Sequence, residues 1–163
     1  MIPETTPPRI EAITTARAAF LEQDAGTSLE ALVAALGAGD AEPAVQLARR
    51  PSRPRGKLTA EKVCKAVGHL LPEHAILIDE AITSGLMLPL MTSGCPPHDL
   101  ITLTGGAIGQ GLPNAIGAAI ACPRRKVLAL IGDGSAMYTI QALWTMAREQ
   151  LDITAIIFAN GSY

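Results

Sequence analysis

Val127-Leu128-Ala129-Leu130-Ile131-Gly132-Asp133-Gly134-Ser135 joins an apolar run to an aspartate flanked by glycines. Five consecutive apolar residues predict a strand that is buried on both faces of a sheet. The glycines permit a sharp turn and close approach of a ligand, while Asp133 projects from the strand end. The backbone amides of Gly134 and Ser135 begin the next helix and predict an anion site. Because Gly-Asp-Gly also occurs in ordinary turns, this inference needs a second observation.

Asn160-Gly161-Ser162 provides that observation, since Asn160 follows Asp133 by 27 residues. This interval fits one crossover helix plus one strand, so the two residues end neighbouring parallel strands. The carboxyl ends of such strands lie at one edge of the sheet, where ligands bind. A carboxylate, an amide oxygen and a backbone carbonyl suit Mg²⁺ that is completed by substrate phosphates. Taken alone, Asn160-Gly161 predicts only a turn.

Helices and strands alternate around this pair of motifs. Apolar runs and helical apolar spacing predict strands at 75–78 and 153–158, and helices at 59–71, 108–121 and 136–150. Alternation of this kind is typical of a parallel sheet with right-handed crossovers. We therefore expect an α/β fold with a parallel sheet and helices on both of its faces. Tyr138 and Trp144, on the last of these helices, are expected in the core.

A basic, proline-containing segment at 49–56 predicts a solvated linker between two parts of the chain. Residues 1–48 are expected to form a short helical remnant or appendage. Its predicted helices are 10–23 and a second one that begins at a capping box, Thr27-Ser28-Leu29-Glu30. So little chain cannot bury a core by itself. The sheet domain is assigned to residues 57–163.

The composition excludes several classes of protein. The net charge of −2 and the 3% aromatic content argue against nucleic-acid binding. Residues 100–123 carry no charge, but glycines and polar residues interrupt them, so we expect no membrane segment. Cys64, Cys95 and Cys122 lie far apart, which argues against disulfides or a zinc site and favours a reducing cytoplasm. No export signal opens the chain, and we expect a cytoplasmic location.

Two familiar nucleotide motifs are not fulfilled. Gly109-Gln110-Gly111 would need a glycine at 114 for a dinucleotide fingerprint, and Asn114 stands there. No Gly-Lys-Ser/Thr sequence completes a P-loop. A flavin- or nucleotide-binding domain is therefore the weaker interpretation. A diphosphate held through a metal ion is favoured.

The residues quoted above resemble a known family. Gly-Asp-Gly followed 27 positions later by Asn is the signature of thiamine-diphosphate enzymes. The segment Gly105–Ala119 is similar to the preceding loop and helix of acetolactate synthases and benzoylformate decarboxylases, and Ser135–Thr145 is most similar to the latter. The resemblance covers about residues 57–163 and implies an incomplete thiamine-diphosphate-binding fold.

The resemblance also implies the site residues. It assigns Mg²⁺ to the side chains of Asp133 and Asn160 and to the carbonyl of Ser162. It assigns the cofactor's diphosphate to the amides of Gly134 and Ser135, helped by the region of Thr83.

Two further residues are assigned to the rings of the cofactor by the same resemblance. The Gly106 carbonyl would accept from the aminopyrimidine amino group. Ile108 would lie beneath the thiazolium and fold the cofactor into its V shape, bringing that amino group near the reacting carbon.

The function that the resemblance implies is Mg²⁺-dependent binding of thiamine diphosphate within a decarboxylase or carboligase of 2-oxo acids. Family members carry a pyrimidine-binding domain with an essential glutamate, for which residues 1–56 are too short. We therefore expect a C-terminally incomplete chain with no catalytic residue of its own, inactive alone. It would act as a homo-oligomer or with a partner chain that supplies the pyrimidine half. The alternative is a truncated or regulatory module without turnover.

Overall fold

The structure is a computed structural model that describes residues 24–37 and 45–160. The chain divides into two units, Met1–Val45 and Gln46–Tyr163. The first unit contains helix α1 (Ala25–Leu36), which ends at Gly37 in the left-handed conformation with φ of 60°. The predicted helix at 10–23 lies outside the described residues.

The N-cap of helix α1 is Asp24, three residues before the predicted capping box. The Asp24 carboxylate accepts from the amides of Gly26, at 2.8 Å, and Thr27, at 3.2 Å. A carboxylate at the N-cap satisfies the otherwise unpaired first amides of a helix. The Thr27 hydroxyl donates to Asp24 rather than capping a helix of its own. The prediction of a start at Thr27 is therefore wrong.

The second unit is built on a four-stranded, fully parallel sheet of order β2-β1-β3-β4. Its strands are β1 (Ile76–Glu80), β2 (Asp99–Thr102), β3 (Val127–Gly132) and β4 (Ile153–Phe158). Three of them were predicted, within two residues at each end. Strand β2 was not, because its short sequence contains only two apolar residues and is largely exposed.

Five α-helices accompany the sheet in the described part of this unit: α2 (Ala60–Leu70), α3 (Leu88–Thr92), α4 (Gly111–Ala121), α5 (Asp133–Met137) and α6 (Ala142–Arg148). The predicted helix at 136–150 is thus two helices that are separated by a turn. The predicted helix at 108–121 begins only at Gly111. Gly109 has φ of 97°, which no right-handed helix accommodates.

The helices cover both faces of the sheet, as predicted. Ile76 and Ile78 of β1 face one apolar cluster, together with residues of α4, α5 and α6. Leu77, between them, faces the other cluster with residues of α2 and α3. Side chains alternate along a strand, so a strand buried on both faces needs apolar residues at consecutive positions. This is why the continuous apolar runs predicted the strands correctly.

The basic segment that precedes α2 packs against the sheet unit. The Arg49 amide donates to the Gly94 carbonyl at 2.8 Å. The Arg50 guanidinium lies 3.3 Å from the carbonyl oxygen of His69, near the end of α2. Residues 46–56 therefore belong structurally to the sheet unit.

Two of the predicted core residues lie at the surface. Trp144 is 63% exposed and Tyr138 is 57% exposed. The break between α5 and α6 turns these side chains away from the apolar cluster, which is filled by Ala142 and Met146 instead. The prediction that both residues are core residues is wrong. Among the residues that the structure describes, no helix is long and apolar enough to cross a membrane.

Candidate functional site

A cavity of about 290 Å³ lies at the carboxyl edge of the sheet. Its walls are residues 81–84 after β1, Ile108 from the loop before α4, residues 132–135 after β3, and Phe158 and Asn160 at the end of β4. Ligands of parallel α/β sheets bind at this edge. The structure therefore brings together six residues that sequence analysis proposed: Thr83, Ile108, Asp133, Gly134, Ser135 and Asn160.

Of the two other proposed residues, Gly106 does not line this cavity. Gly106 is exposed, with φ of 74°, in the loop that leads to Ile108. Ser162 lies outside the described residues, so its assignment to a metal remains a prediction.

Asp133 and Asn160 reach the cavity because their strands are paired in register. Gly132 of β3 pairs with Phe158 of β4, and Asp133 follows the first by one residue and Asn160 the second by two. Asp133 is half-buried and Asn160 is exposed. A carboxylate beside an amide oxygen is a donor set that fits Mg²⁺. In the described residues, no group of three or more His, Cys, Asp and Glu side chains is placed to hold a metal ion.

The segment after Asp133 forms the five-residue helix α5, with Ser135 buried in its first turn. Sequence analysis expected the amides of Gly134 and Ser135 to be open to an anion. The structure differs at Gly134, whose amide donates to the Asp133 carboxylate at 3.1 Å. A diphosphate at this position would have to take over that hydrogen bond.

The turn after β1 contributes a strained residue to the cavity wall. Ile82 has φ of 51°, which is rare for a β-branched side chain. The turn is held from β1, because Asp79 Oδ1 accepts from the Ala81 amide at 3.1 Å. Burial raises the pKa of the Asp79 carboxyl above its ordinary value. Ile82 is followed by Thr83, whose hydroxyl-bearing side chain is exposed. Backbone strain is common at functional sites.

Behind this turn lies a buried thiol. Cys64 of α2 is fully buried, and its Sγ donates to the Ser84 carbonyl at 3.5 Å. Burial raises the pKa of this thiol, and the nearby charge of Asp79 raises it further. All three cysteines are free. Such a thiol is structural rather than reactive.

The loop before α4 is held by a residue that sequence analysis did not single out. Glu80, the last residue of β1, is 2% exposed, and its two carboxylate oxygens accept from the amides of Gly109 and Gly111. On the other side, the Thr139 hydroxyl donates to the Gly109 carbonyl at 2.8 Å. The sequence does contain a feature that could have identified Glu80. It is a carboxylate directly at the end of a buried apolar strand, where an unpaired charge is costly.

A second depression is larger and almost wholly apolar. It has a volume of about 380 Å³ and lies between residues 54–58, α2 and the strands β3 and β4. No carboxylate lines it, so it offers nothing for a metal ion. Of these two cavities, the smaller one at the strand ends is the one with a carboxylate on its wall.

The carboxyl edge of the sheet, where the smaller cavity lies, includes residues that match a known protein family. Residues 87–163 match the family described as "Thiamine pyrophosphate enzyme, C-terminal TPP binding domain". Residues 87–163 of the chain belong to this family. The predicted resemblance is therefore confirmed, and the cavity lies in a TPP-binding domain, between strand ends that the match includes and the turn after β1.

Named proteins resemble this TPP-binding domain along most of its length. The chain is 52% identical over 139 residues to IlvX of Mycobacterium tuberculosis, whose name assigns it to the acetolactate synthase large subunits. That match covers 85% of the chain and 27% of IlvX. The chain is 37% identical over 108 residues to a benzoylformate decarboxylase of Pseudomonas aeruginosa, a match that covers 66% of the chain and 20% of that protein.

A solved structure shares the fold of this TPP-binding domain. It is the thiamine diphosphate-dependent 4-hydroxybenzoylformate decarboxylase of Rhodococcus jostii RHA1, with a TM-score of 0.67 and 31% identity. The match covers 85% of the chain and 27% of that structure. The chain thus spans about a quarter of the length of the relatives that it matches. Its matched part corresponds to the TPP-binding domain, and the relatives that it resembles are named as decarboxylases and as an acetolactate synthase large subunit.

Proposed function

We propose that this chain binds thiamine diphosphate in a Mg²⁺-dependent manner. The observation that carries the proposal is the placement of Asp133 and Asn160 after register-paired strands, on the wall of one cavity. Family membership specifies the ligand class, and the oxygen donors specify a hard divalent cation. Among the residues that the structure describes, the cavity wall carries the Asp133 carboxylate and no basic side chain, so it would not retain a diphosphate without such a cation.

The residues of the cavity wall fit parts of this cofactor. Asp133 and Asn160 would hold the metal ion, with the Ser162 carbonyl as a further ligand. Thr83 and the backbone of Gly134 and Ser135 would bind the diphosphate. The volume of about 290 Å³ is at the lower end of small-molecule sites, which suits half of the cofactor.

Two residues are proposed for the ring end of the cofactor. Ile108 is half-buried on the cavity wall and offers an apolar surface to the thiazolium. Gly106 lies in the same loop, two residues earlier, and would present its carbonyl to the aminopyrimidine. Bound thiamine diphosphate supplies the carbanion-stabilising chemistry of such enzymes.

The activity proposed for the complete assembly is decarboxylation or carboligation of a small 2-oxo acid. The names of the relatives support this, since they include an acetolactate synthase large subunit and decarboxylases of 2-oxo acids. A second subunit or a partner chain would supply the pyrimidine half of the site. We propose a cytoplasmic location.

Exposed apolar residues next to the cavity support the need for a partner. Met137 and Tyr138, which follow the proposed diphosphate residues, are 69% and 57% exposed, and Trp144 of α6 is 63% exposed. Apolar patches of this kind favour association. The same observation also supports the alternative, a regulatory module without turnover. Measuring pyruvate consumption after adding a pyrimidine-domain chain separates the two, because only the first gives turnover.

Titration calorimetry tests the proposed function. The full chain is titrated with thiamine diphosphate in the presence of Mg²⁺ and again with a chelator. Binding is expected with Mg²⁺ alone, and Asp133→Ala is expected to abolish it. The matched control is Asp152→Ala, which removes an exposed carboxylate paired with Lys126 at the opposite edge of the sheet. Equal affinity with and without the chelator would contradict the proposal.

A further inference from the structure

Glu80 is a buried carboxylate that the proposed cofactor contacts do not use. It is 2% exposed, and in the described residues no basic side chain forms an ion pair with it. Its partners are instead the amides of Gly109 and Gly111, one for each oxygen. Burying a carboxylate is costly unless its oxygens are hydrogen-bonded. The loop before α4 therefore compensates the burial of Glu80, and Glu80 in turn fixes the loop.

The same peptide region is held from the opposite side. The Thr139 hydroxyl, in the turn after α5, donates to the Gly109 carbonyl at 2.8 Å. A Cβ at Gly109 would lie 2.7 Å from Cβ of Tyr138, and the φ of Gly109 is 97°. This close approach leaves room for glycine alone. Gly109 is thus bound to β1 through its amide and to the turn after α5 through its carbonyl.

Ile108 lies between these contacts and the cavity. It is the residue immediately before Gly109, and it is the part of this loop that lines the cavity wall. Displacing Gly109 moves Ile108 relative to Asp133 and Asn160, which are attached to other strands.

We infer that Glu80 and Thr139 are positioning residues, which hold Gly109 from two sides and so set where Ile108 meets the ring end of the cofactor. This inference rests on the proposed function. It predicts that a mutation can weaken the binding of the ring end of the cofactor without weakening the binding of its diphosphate end. A ligand that contains only the diphosphate engages Thr83 and the residues after β3 and β4, whereas thiamine diphosphate also needs Ile108.

The experiment measures two affinities for each variant of the full chain by titration calorimetry with Mg²⁺. The ligands are thiamine diphosphate and inorganic diphosphate. Glu80→Gln replaces one acceptor oxygen by an NH₂ group, which then faces a backbone N–H. We expect it to weaken thiamine diphosphate binding by about tenfold and inorganic diphosphate binding by less than about twofold. A purely structural defect would weaken both ligands together.

Thr139 provides an independent pair of variants. Thr139→Val removes the hydroxyl at nearly constant volume, and we expect the same selective loss. Thr139→Ser keeps a hydroxyl and is expected to restore the affinity. The matched control is Thr92→Val, which removes a buried hydroxyl that donates to the Leu88 carbonyl within α3. If Glu80→Gln does not fold, the Thr139 pair decides.

The outcomes distinguish the two proposals. If the wild-type chain binds neither ligand, the proposed function fails and the inference fails with it. If the wild-type chain binds both ligands and Thr139→Val and Glu80→Gln do so equally well, the inference alone is overturned. Amide hydrogen exchange adds a readout without any ligand, since the Gly109 amide should exchange faster in Glu80→Gln than in the wild type.

Discussion

Gly132 of β3 and Phe158 of β4 are register partners, and each is the last residue of its strand. Asp133 follows the first by one residue, and Asn160 follows the second by two. Because parallel strands end at the same edge, this pairing brings a carboxylate and an amide to the wall of one cavity. A one-residue shift of β4 would turn every one of its side chains to the other face. The metal site that we propose therefore depends on the register between β3 and its neighbour β4.

Asn160→Ala tests the amide side of this pair. Removing one oxygen ligand should raise the Mg²⁺ concentration that half-saturates thiamine diphosphate binding by about tenfold, or about 1.4 kcal/mol. Calorimetry at a series of Mg²⁺ concentrations measures this shift. The control is Asn114→Ala, an exposed amide in the first turn of α4 that does not line the cavity. An unchanged Mg²⁺ requirement in Asn160→Ala would remove this residue from the metal site.

Two glycines of α4 should respond in opposite directions to the same substitution. A Cβ at Gly111 would lie 2.5 Å from Cδ1 of Ile131 and 3.0 Å from Cβ of Glu80, whereas one at Gly117 would meet nothing within 4 Å. Gly111→Ala should lower the free energy of unfolding by about 1–3 kcal/mol through overpacking. Gly117→Ala should raise it by about 0.5–1 kcal/mol. Denaturant titration of both variants measures the difference, and equal effects would contradict the packing described for Gly111.

Asp79 should make stability depend on pH in an unusual direction. Burial raises the pKa of its carboxyl, so the folded chain holds this proton more tightly than the unfolded chain. The contribution of Asp79 to the free energy of unfolding is therefore fully present at acidic pH and is lost as the pH rises through the raised value. Asp79→Asn keeps an acceptor for the Ala81 amide without the charge. Relative to the wild type, we expect it to gain stability between acidic and neutral pH.

Denaturant titration at several pH values checks this trend. The control is Asp99→Asn, which removes an exposed carboxylate that pairs with Arg125 at 2.5 Å. That variant should show no gain at neutral pH, because it loses an ion pair. A pH-independent difference between Asp79→Asn and the wild type would show that the Asp79 charge carries no cost in the folded chain.

Cys64 should be the least reactive of the three thiols. It is fully buried, and both burial and the charge of Asp79 raise its pKa, which lowers the fraction of thiolate. Cys122 is half-buried and serves as the comparison. A short maleimide pulse on the folded chain, followed by peptide mass spectrometry, should label Cys122 before Cys64. Labelling of Cys64 at the same rate would indicate that α2 opens readily.

Much of this fold follows from local patterns in the sequence. The continuous run at Val127–Gly132 specifies a doubly buried strand, and the 27-residue interval from Asp133 to Asn160 specifies a neighbouring one. Strand β2 was not predicted because it is defined by its pairing with β1 and not by its own composition. The break after α5 also follows from tertiary packing, since the segment at 136–150 has a helical pattern throughout.

The site was predicted to the extent that it depends on strand ends. Thr83, Ile108 and the residues after β3 were brought to one cavity as expected. The contacts of Glu80 were missed because they join residues about 30 positions apart, and no local pattern reports such a pairing. The Gly134 amide was expected to be free to bind an anion, but it donates a hydrogen bond to the adjacent Asp133 carboxylate.

Trp144 is the single tryptophan of the chain, and its ring lies 4.5 Å from the guanidinium carbon of Arg148. The chain therefore carries a native optical reporter on the outer surface of α6. Its emission should be that of a water-exposed indole, and soluble quenchers should reach it. Any molecule that covers this helix will shift the emission to shorter wavelength and protect it from quenching. Association can thus be followed by fluorescence without attaching a label.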